Sequence, residues 1–405
     1  MYEPRYASRA EGMRASEIRE LLKLLEQPGI ISFAGGIPDP ELFPKEAINA
    51  AYHGILANEA LAAQALQYSV SEGYRPLREW IASHMASRGV PASADNILIT
   101  SGSQQALEFL GKLFITPGDT ALVAAPTYLG ALQAFSAYEP RYDTLGPESA
   151  NRTPASYAEA AATTGGSVKF AYVVPDFANP TGRTMSSKAR KGLIALAEEL
   201  DCVIIEDAAY VDLRFGGETV PAVQALDVAR HGGDLNTSRV IYCGTFSKTL
   251  TPGLRIGWVC AAKPIVRRLT LIKQACDLNS SLINQMVVER LAAATFGSQV
   301  EQASRHYRNR RDAMLAALKH HMPAGVTWTT PEGGLFIWVE LPEQCDGQDL
   351  LRRAISEAQV AFVPGGAFFT DGTGRNTMRL SYSLPNEAQI EDGIARLGKL
   401  IATAA

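Results

Sequence analysis

The chain has 405 residues, 46% of them hydrophobic and 20% charged, with a formal net charge of −4. That length exceeds one small core, and the composition excludes a disordered chain. The slight negative balance gives no reason to expect a nucleic-acid partner, which clustered Lys and Arg would grip. Five cysteines (Cys202, Cys243, Cys260, Cys276, Cys345) are odd in number and form no CxxC pair, so they read as buried free thiols in a reducing compartment. The N-terminus lacks an apolar signal core, and the charge-free stretch Thr120–Tyr138 contains Pro126, Thr127, Gly130 and Gln133. It reads as strand, turn and helix rather than a membrane span, and a cytoplasmic protein with no membrane partner is expected.

In chain order, Ile18, Leu21, Leu22 and Leu25 predict a first amphipathic helix, ended by Pro28-Gly29. An irregular segment, Phe33-Ala-Gly-Gly-Ile-Pro-Asp-Pro, follows, and helical sequence resumes near Lys45 and around Pro76 to Arg88. From Ile97 the pattern becomes short apolar runs alternating with helices. The runs are Ile97–Thr100, Ala121–Ala125, Val168–Val174, Val203–Ile205, Val240–Cys243 and Ile256–Cys260. Near-continuous Val, Ile and Ala alternating with helices predict a mainly parallel α/β sheet covered on both faces. Beyond about residue 285 a long helical stretch runs to His321, interrupted near Gly297. Strands at Leu335–Val339, Val360–Val363 and Thr377–Tyr382 then predict a smaller α+β domain. The expected division is 1–45 as an arm and helix joined to the small domain, 46–285 as the large domain, and 286–405 as the small one.

Polar punctuation falls just past the strand ends, where functional residues of such sheets gather. Lys248, in Gly244-Thr-Phe-Ser-Lys, follows an apolar strand. Alone it would be a loop lysine, but a desolvated lysine amine also attacks carbonyls. Thr245 and Ser247 supply hydroxyls beside it and Arg255 a fixed positive charge. Ser101-Gly-Ser103-Gln104-Gln105 sits between strand and helix, an anion site if it is more than an N-cap. Glu206-Asp207-Ala-Ala-Tyr210 ends a buried strand, where a carboxylate is costly unless paired or functional. A protonated pyridine nitrogen would be a fitting partner; Asp207 is the better candidate, with Glu206 pointing to the other side. Asn179, in Asn-Pro-Thr-Gly182, projects its amide over the sheet edge. Each motif has an ordinary structural explanation, but four in this order at strand ends favour one shared site.

The ordered set, with Pro126-Thr-Tyr128, Pro252-Gly-Leu-Arg255-Ile-Gly-Trp and Arg379 in Met-Arg-Leu-Ser-Tyr, resembles the fold-type-I, aspartate-aminotransferase-like enzymes dependent on pyridoxal 5'-phosphate (PLP). The resemblance covers essentially the whole chain. It is nearest the branch holding kynurenine and 2-aminoadipate aminotransferases, through Ile18-Arg-Glu-Leu-Leu-Lys, Phe33-Ala-Gly-Gly-Ile-Pro-Asp-Pro-Glu-Leu-Phe-Pro, Leu66-Gln-Tyr68-Ser and Phe362-Val-Pro-Gly-Gly-Ala-Phe-Phe. It implies a large domain with a mainly parallel seven-stranded sheet, PLP as cofactor, and no metal. Lys248 would carry PLP covalently and shuttle the substrate proton. Asp207 would pair with the ring nitrogen, Tyr210 and Asn179 with the ring oxygen, and Tyr128 would stack on the ring. Ser103, Gln104, Thr245, Ser247 and Arg255 would surround the phosphate. Arg379 would clamp the substrate α-carboxylate, as bidentate pairing suits Arg. Asn179 could touch that carboxylate too, and Gly36 would line the substrate side. Tyr68 would reach the neighbouring subunit's phosphate, so a homodimer is implied. Ala178 stands where relatives often carry Gln, and Thr245 where many carry Ser.

The implied reaction is ping-pong transfer of an amino group from an L-amino acid to 2-oxoglutarate. Ser16 and Arg19 match positions that handle the distal end of the substrate in 2-aminoadipate-type relatives, so 2-aminoadipate, leucine-type or aromatic donors are expected. Two alternatives share the scaffold. One is a PLP-dependent β-lyase or decarboxylase. The other is a non-catalytic ligand sensor, whose DNA-binding segment would have no room ahead of Arg14.

Overall fold

The computed structural model describes residues 5–10, 29–146, 148 and 151–404. The first helix expected from Ile18 to Leu25 lies outside these. A short strand, β1 (Ile31–Ser32), precedes the main sheet. That sheet comprises β2 (Ile97–Thr100), β3 (Thr120–Ala124), β4 (Arg141–Leu145), β5 (Val168–Val173), β6 (Val203–Asp207), β7 (Val240–Thr245) and β8 (Gly257–Cys260). Their order is β2-β8-β7-β6-β5-β3-β4. Only β8 runs against its neighbours, pairing antiparallel with both β2 and β7. The chain is therefore α/β with the expected seven-stranded, mainly parallel sheet.

Strand residues alternate between two apolar layers, as a two-residue side-chain period requires. Leu98, Phe170, Ile205 and Val259 face one layer, covered in part by the helices Ser103–Phe114 and Lys263–Cys276. Ile97, Ile99, Tyr242 and Trp258 face the other, where Leu77 and Ile81 of the helix Arg75–Ser87 pack. The main-sheet strand missed from sequence is β4, Arg-Tyr-Asp-Thr-Leu. It is an edge strand with only Leu145 buried, so it lacks the apolar run that marks its neighbours.

A smaller antiparallel sheet has the order β12-β13-β10-β9, with β9 (Thr327–Trp328), β10 (Phe336–Glu340), β12 (Val363–Pro364) and β13 (Thr377–Ser381). β11 (Val360–Ala361) pairs parallel with β1, fastening the segment after Gly29 to this part of the molecule. One helix, Leu282–His321, runs through both cores, with Met286 and Leu291 in one and Tyr307 and Leu318 in the other. It is continuous for 40 residues, about 60 Å at 1.5 Å per residue, and the expected break at Gly297 is absent. Gly297 is exposed and costs the helix only about 1 kcal/mol relative to alanine, too little to end it. The cysteines are free, and four are buried; Cys276 is exposed, against the expectation of burial.

Candidate active site

Parallel strands deliver their C-terminal ends to one edge of the sheet. Because β8 is reversed, its N-terminal end reaches that edge too, and Arg255, two residues before Gly257, joins residues that follow the other strands. They converge on a cavity of about 160 Å³. Ser103, Gln104 and Tyr128 line one side, Asn179, Asp207 and Tyr210 another, and Thr245, Ser247, Lys248 and Arg255 complete it.

Asp207 ends β6 and is 3% exposed. Strand alternation turns Asp207 into the cavity and Glu206 to the opposite face. There Glu206 accepts the backbone N–H groups of Val223 (2.9 Å) and Gln224 (2.8 Å), in the first turn of the helix Val223–Arg230. Burial pushes its carboxyl up to about 7. Asp207 Oδ2 accepts the Tyr172 hydroxyl at 2.8 Å, whereas buried Oδ1 has no hydrogen-bond partner among the described residues. Burial raises the Asp207 carboxyl to about 6, against the pull of Tyr172, of the nearby Ala209 backbone N–H and of the Lys248 charge.

Across the cavity, Lys248 Nζ donates to the Gly36 carbonyl at 3.0 Å and lies 5.8 Å from the centre of the Tyr210 ring. Burial, then Arg379 and Arg255, lower the amine to about 8, which brings its neutral form within reach near physiological pH. Gly36 could not be larger, since an added Cβ would fall 2.5 Å from the Phe336 ring.

The third corner is built for an anion. The helix Ser103–Phe114 begins there and presents its first backbone N–H groups. Thr245 and Ser247 hydroxyls lie 2.9 Å apart, and Arg255 sits in a left-handed turn (φ 54°) with Nη2 donating to the Ser101 carbonyl at 3.1 Å. Gly102 lets that guanidinium pass. Its φ is +80°, and a Cβ there would run into Arg255 Nη2. Gln104 Nε2 donates to the Gly130 carbonyl at 2.6 Å, and the Tyr128 hydroxyl donates to Gln104 Oε1 at 3.5 Å.

Arg379 stands behind Asn179 rather than on the cavity wall. It is 2% exposed, donating from Nη1 to Asn179 Oδ1 at 2.8 Å and from Nη2 to the Ala34 carbonyl at 2.6 Å. Its guanidinium lies 4.3 Å from the centre of the Phe336 ring, and buried Nε has no partner among the described residues. Tyr68 is not brought to the cavity; it is 79% exposed, beside exposed Leu66 and Val70. Ser16 and Arg19 lie outside the described residues.

Sequence reasoning missed Tyr172, which orients Asp207, and the wall residues Val174, Ala209 and Pro252. Tyr172 had a signal: a hydroxyl in a mostly apolar strand, one strand from the buried acid.

A model of the family "aminotransferase class I and II" matches residues 34–397. Aromatic-amino-acid aminotransferase 1 of Thermococcus litoralis is 44% identical over 99% of this chain and 94% of its own length. The crystal structure of Pyrococcus horikoshii kynurenine aminotransferase, in complex with PMP, KYN as substrates and KYA as products, superposes with a TM-score of 0.91. It is 43% identical, covering 99% of this chain and 98% of that one. LysN, the alpha-aminoadipate aminotransferase of Thermus thermophilus complexed with N-(5'-phosphopyridoxyl)-L-leucine, gives a TM-score of 0.88 at 40% identity, covering 100% and 98%. On this match in sequence and architecture, the chain belongs to the class I and II aminotransferases.

Proposed function

We propose that this aminotransferase holds PLP in the cavity between Asp207 and Lys248 and moves amino groups from 2-aminoadipate, leucine-type or aromatic L-amino acids to 2-oxoglutarate, with ping-pong kinetics. One observation carries the reading. Asp207 Oδ1 is buried without a partner among the described residues, on the wall of a cavity that has a lysine of lowered pKa opposite and an anion-binding corner beside it. A pyridinium N–H would satisfy that atom, and the helix N-terminus, Ser103, Thr245, Ser247 and Arg255 suit a phosphate. When bound, PLP supplies an electron sink for the pair released as the substrate Cα proton leaves.

The chain's residues do the rest. The Lys248 amine would hold the cofactor and, once free of it, would carry the proton that leaves the substrate Cα. Asp207 would stay anionic beside a cationic partner that offsets the burial raising its pKa, and Tyr172 fixes its orientation. Tyr210 and Asn179 would hold the ring oxygen, Tyr128 would cover the ring, and Arg379 would take the α-carboxylate. The exposed run at Leu66, Tyr68 and Val70 supports a homodimer in which Tyr68 enters the partner's site.

The aromatic and 2-aminoadipate classes follow what the relatives are named for, and the leucine class follows the leucine adduct in the LysN structure. Mixing purified, PLP-loaded protein with a panel of donors should convert the bound cofactor to its amino form and release one 2-oxo acid per site; 2-oxoglutarate should then restore it. Release of carbon dioxide, or loss of a β-substituent with no amino form accumulating, would overturn transamination.

A further inference from the structure

Behind the anion corner lies a buried charge that the reaction does not touch. Lys273, on the helix Lys263–Cys276, has a fully buried side chain. Its Nζ directs its protons at four oxygens: Asp277 Oδ1 (2.9 Å) and Oδ2 (3.0 Å), Ser280 Oγ (3.0 Å) and Gln105 Oε1 (3.0 Å). Gln105 is the hinge of this network. Its Oε1 also accepts the Ser101 backbone N–H at 2.9 Å, and its Nε2 donates to Asp277 Oδ2 at 2.8 Å. The Ser101 hydroxyl lies 3.2 Å from Ser280 Oγ, and its carbonyl accepts Arg255 Nη2 at 3.1 Å. Every hydrogen-bonding group of Ser101 is thereby engaged, at the point where β2 turns through Gly102 into the helix that begins at Ser103.

A buried ammonium is costly, and breaking such a pair by removing one partner costs several kcal/mol. Here its geometry reaches the backbone that sets both the helix N-terminus and the arginine. We propose that Lys273 is a positioning residue for the phosphate end of the cofactor: through Gln105 it locks the Ser101–Ser103 turn, and through the Ser101 carbonyl the Arg255 guanidinium. The proposal rests on the PLP reading of the cavity and assigns the cause of its phosphate affinity to a residue outside it.

The test separates phosphate from ring. Apoenzyme is titrated with PLP and with pyridoxal, which lacks the phosphate, following tryptophan fluorescence and cofactor absorbance, for wild type, Lys273→Met, Lys273→Arg and Gln105→Leu. Lys273→Met and Gln105→Leu should weaken PLP binding by about tenfold or more while leaving pyridoxal within about twofold, as loss of an oriented charge-assisted contact would. Lys273→Arg should recover part of the loss. Unchanged PLP affinity in both variants, or an equal loss for PLP and pyridoxal, would overturn the proposal. If Lys273→Met does not fold, Gln105→Leu decides, because it cuts the link while keeping the Lys273–Asp277 pair. A wild type that binds neither compound would instead refute the PLP reading itself.

Discussion

Behind the cleft, Lys273 and Arg190 direct their donors to fixed acceptors; on and just behind its wall, Asp207 and Arg379 each keep a buried atom with no hydrogen-bond partner among the described residues. Arg190 is fully buried, with Nη2 2.9 Å from Asp176 Oδ1 and further bonds to the carbonyls of Met185, Pro175 and Pro221. The first region is finished as it stands, whereas the second is complete only with something added. A partnerless atom is not diagnostic alone, since Trp258 Nε1 is another. Asp207 differs in lining a cavity with a lysine across it. Saturated buried polar groups hold the frame, and unsaturated ones at a cavity mark where a ligand belongs.

Substitutions in the two regions should therefore fail in different ways. Lys248→Ala should lower turnover by at least ~10³-fold in steady-state assays, since it removes both attachment point and proton carrier, with no loss of apoenzyme melting temperature. A lower melting point there would erase the contrast. Arg190→Met should do the reverse, costing about 2 kcal/mol or more in denaturant unfolding because the Met185, Pro175 and Pro221 carbonyls lose their donor and Asp176 is left with Arg214, with activity per folded molecule largely kept. Asp207→Asn should cut kcat by ~10²-fold in single-turnover measurements, the size seen when one preorganised electrostatic contact is lost, while stability holds or rises.

Smaller effects sharpen the picture. PLP capture by apoenzyme should speed up with pH, about tenfold per unit below about 8 and level above, because only the neutral Lys248 amine attacks; stopped-flow absorbance reads this. Glu206→Gln should change stability by about 1 kcal/mol through the helix it caps. Its carboxyl is raised to about 7 from an ordinary 4.5, so the folded state holds the proton more tightly and wild-type stability falls as pH rises through that window. Denaturant midpoints across the window should show a shallower slope in the variant.

The α/β architecture was readable because β2, β6 and β7 are unbroken apolar runs with polar residues at their ends. The same punctuation pointed to Ser103, Asn179, Asp207 and Lys248, which the fold brings to one cavity. β4 was missed because an edge strand with one buried residue carries no such run. Gly297 misled because a long, doubly packed helix tolerates a residue that weakens a short one. Lys273 gave no signal at all. A lysine four residues from an aspartate on a helix looks like a surface ion pair, and only the approach of Gln105 and Ser280 buries it. Arg379 was singled out by motif, but nothing local indicated that Asn179 and Ala34 would occupy it.

The reversed strand β8 has one more consequence, for the order in which the protein can be completed. β2 has no other neighbour in the sheet, and the two are separated by more than 150 residues of chain. During synthesis Ile97-Leu-Ile-Thr emerges early and waits without a pairing partner, a sticky segment of the kind chaperones cover. The turn at Ser101 gains its final position only when β8 arrives with Arg255. Cofactor capture at this corner, as proposed, would then be a late event in the life of the nascent chain, and PLP-dependent absorbance would time the closing of the sheet.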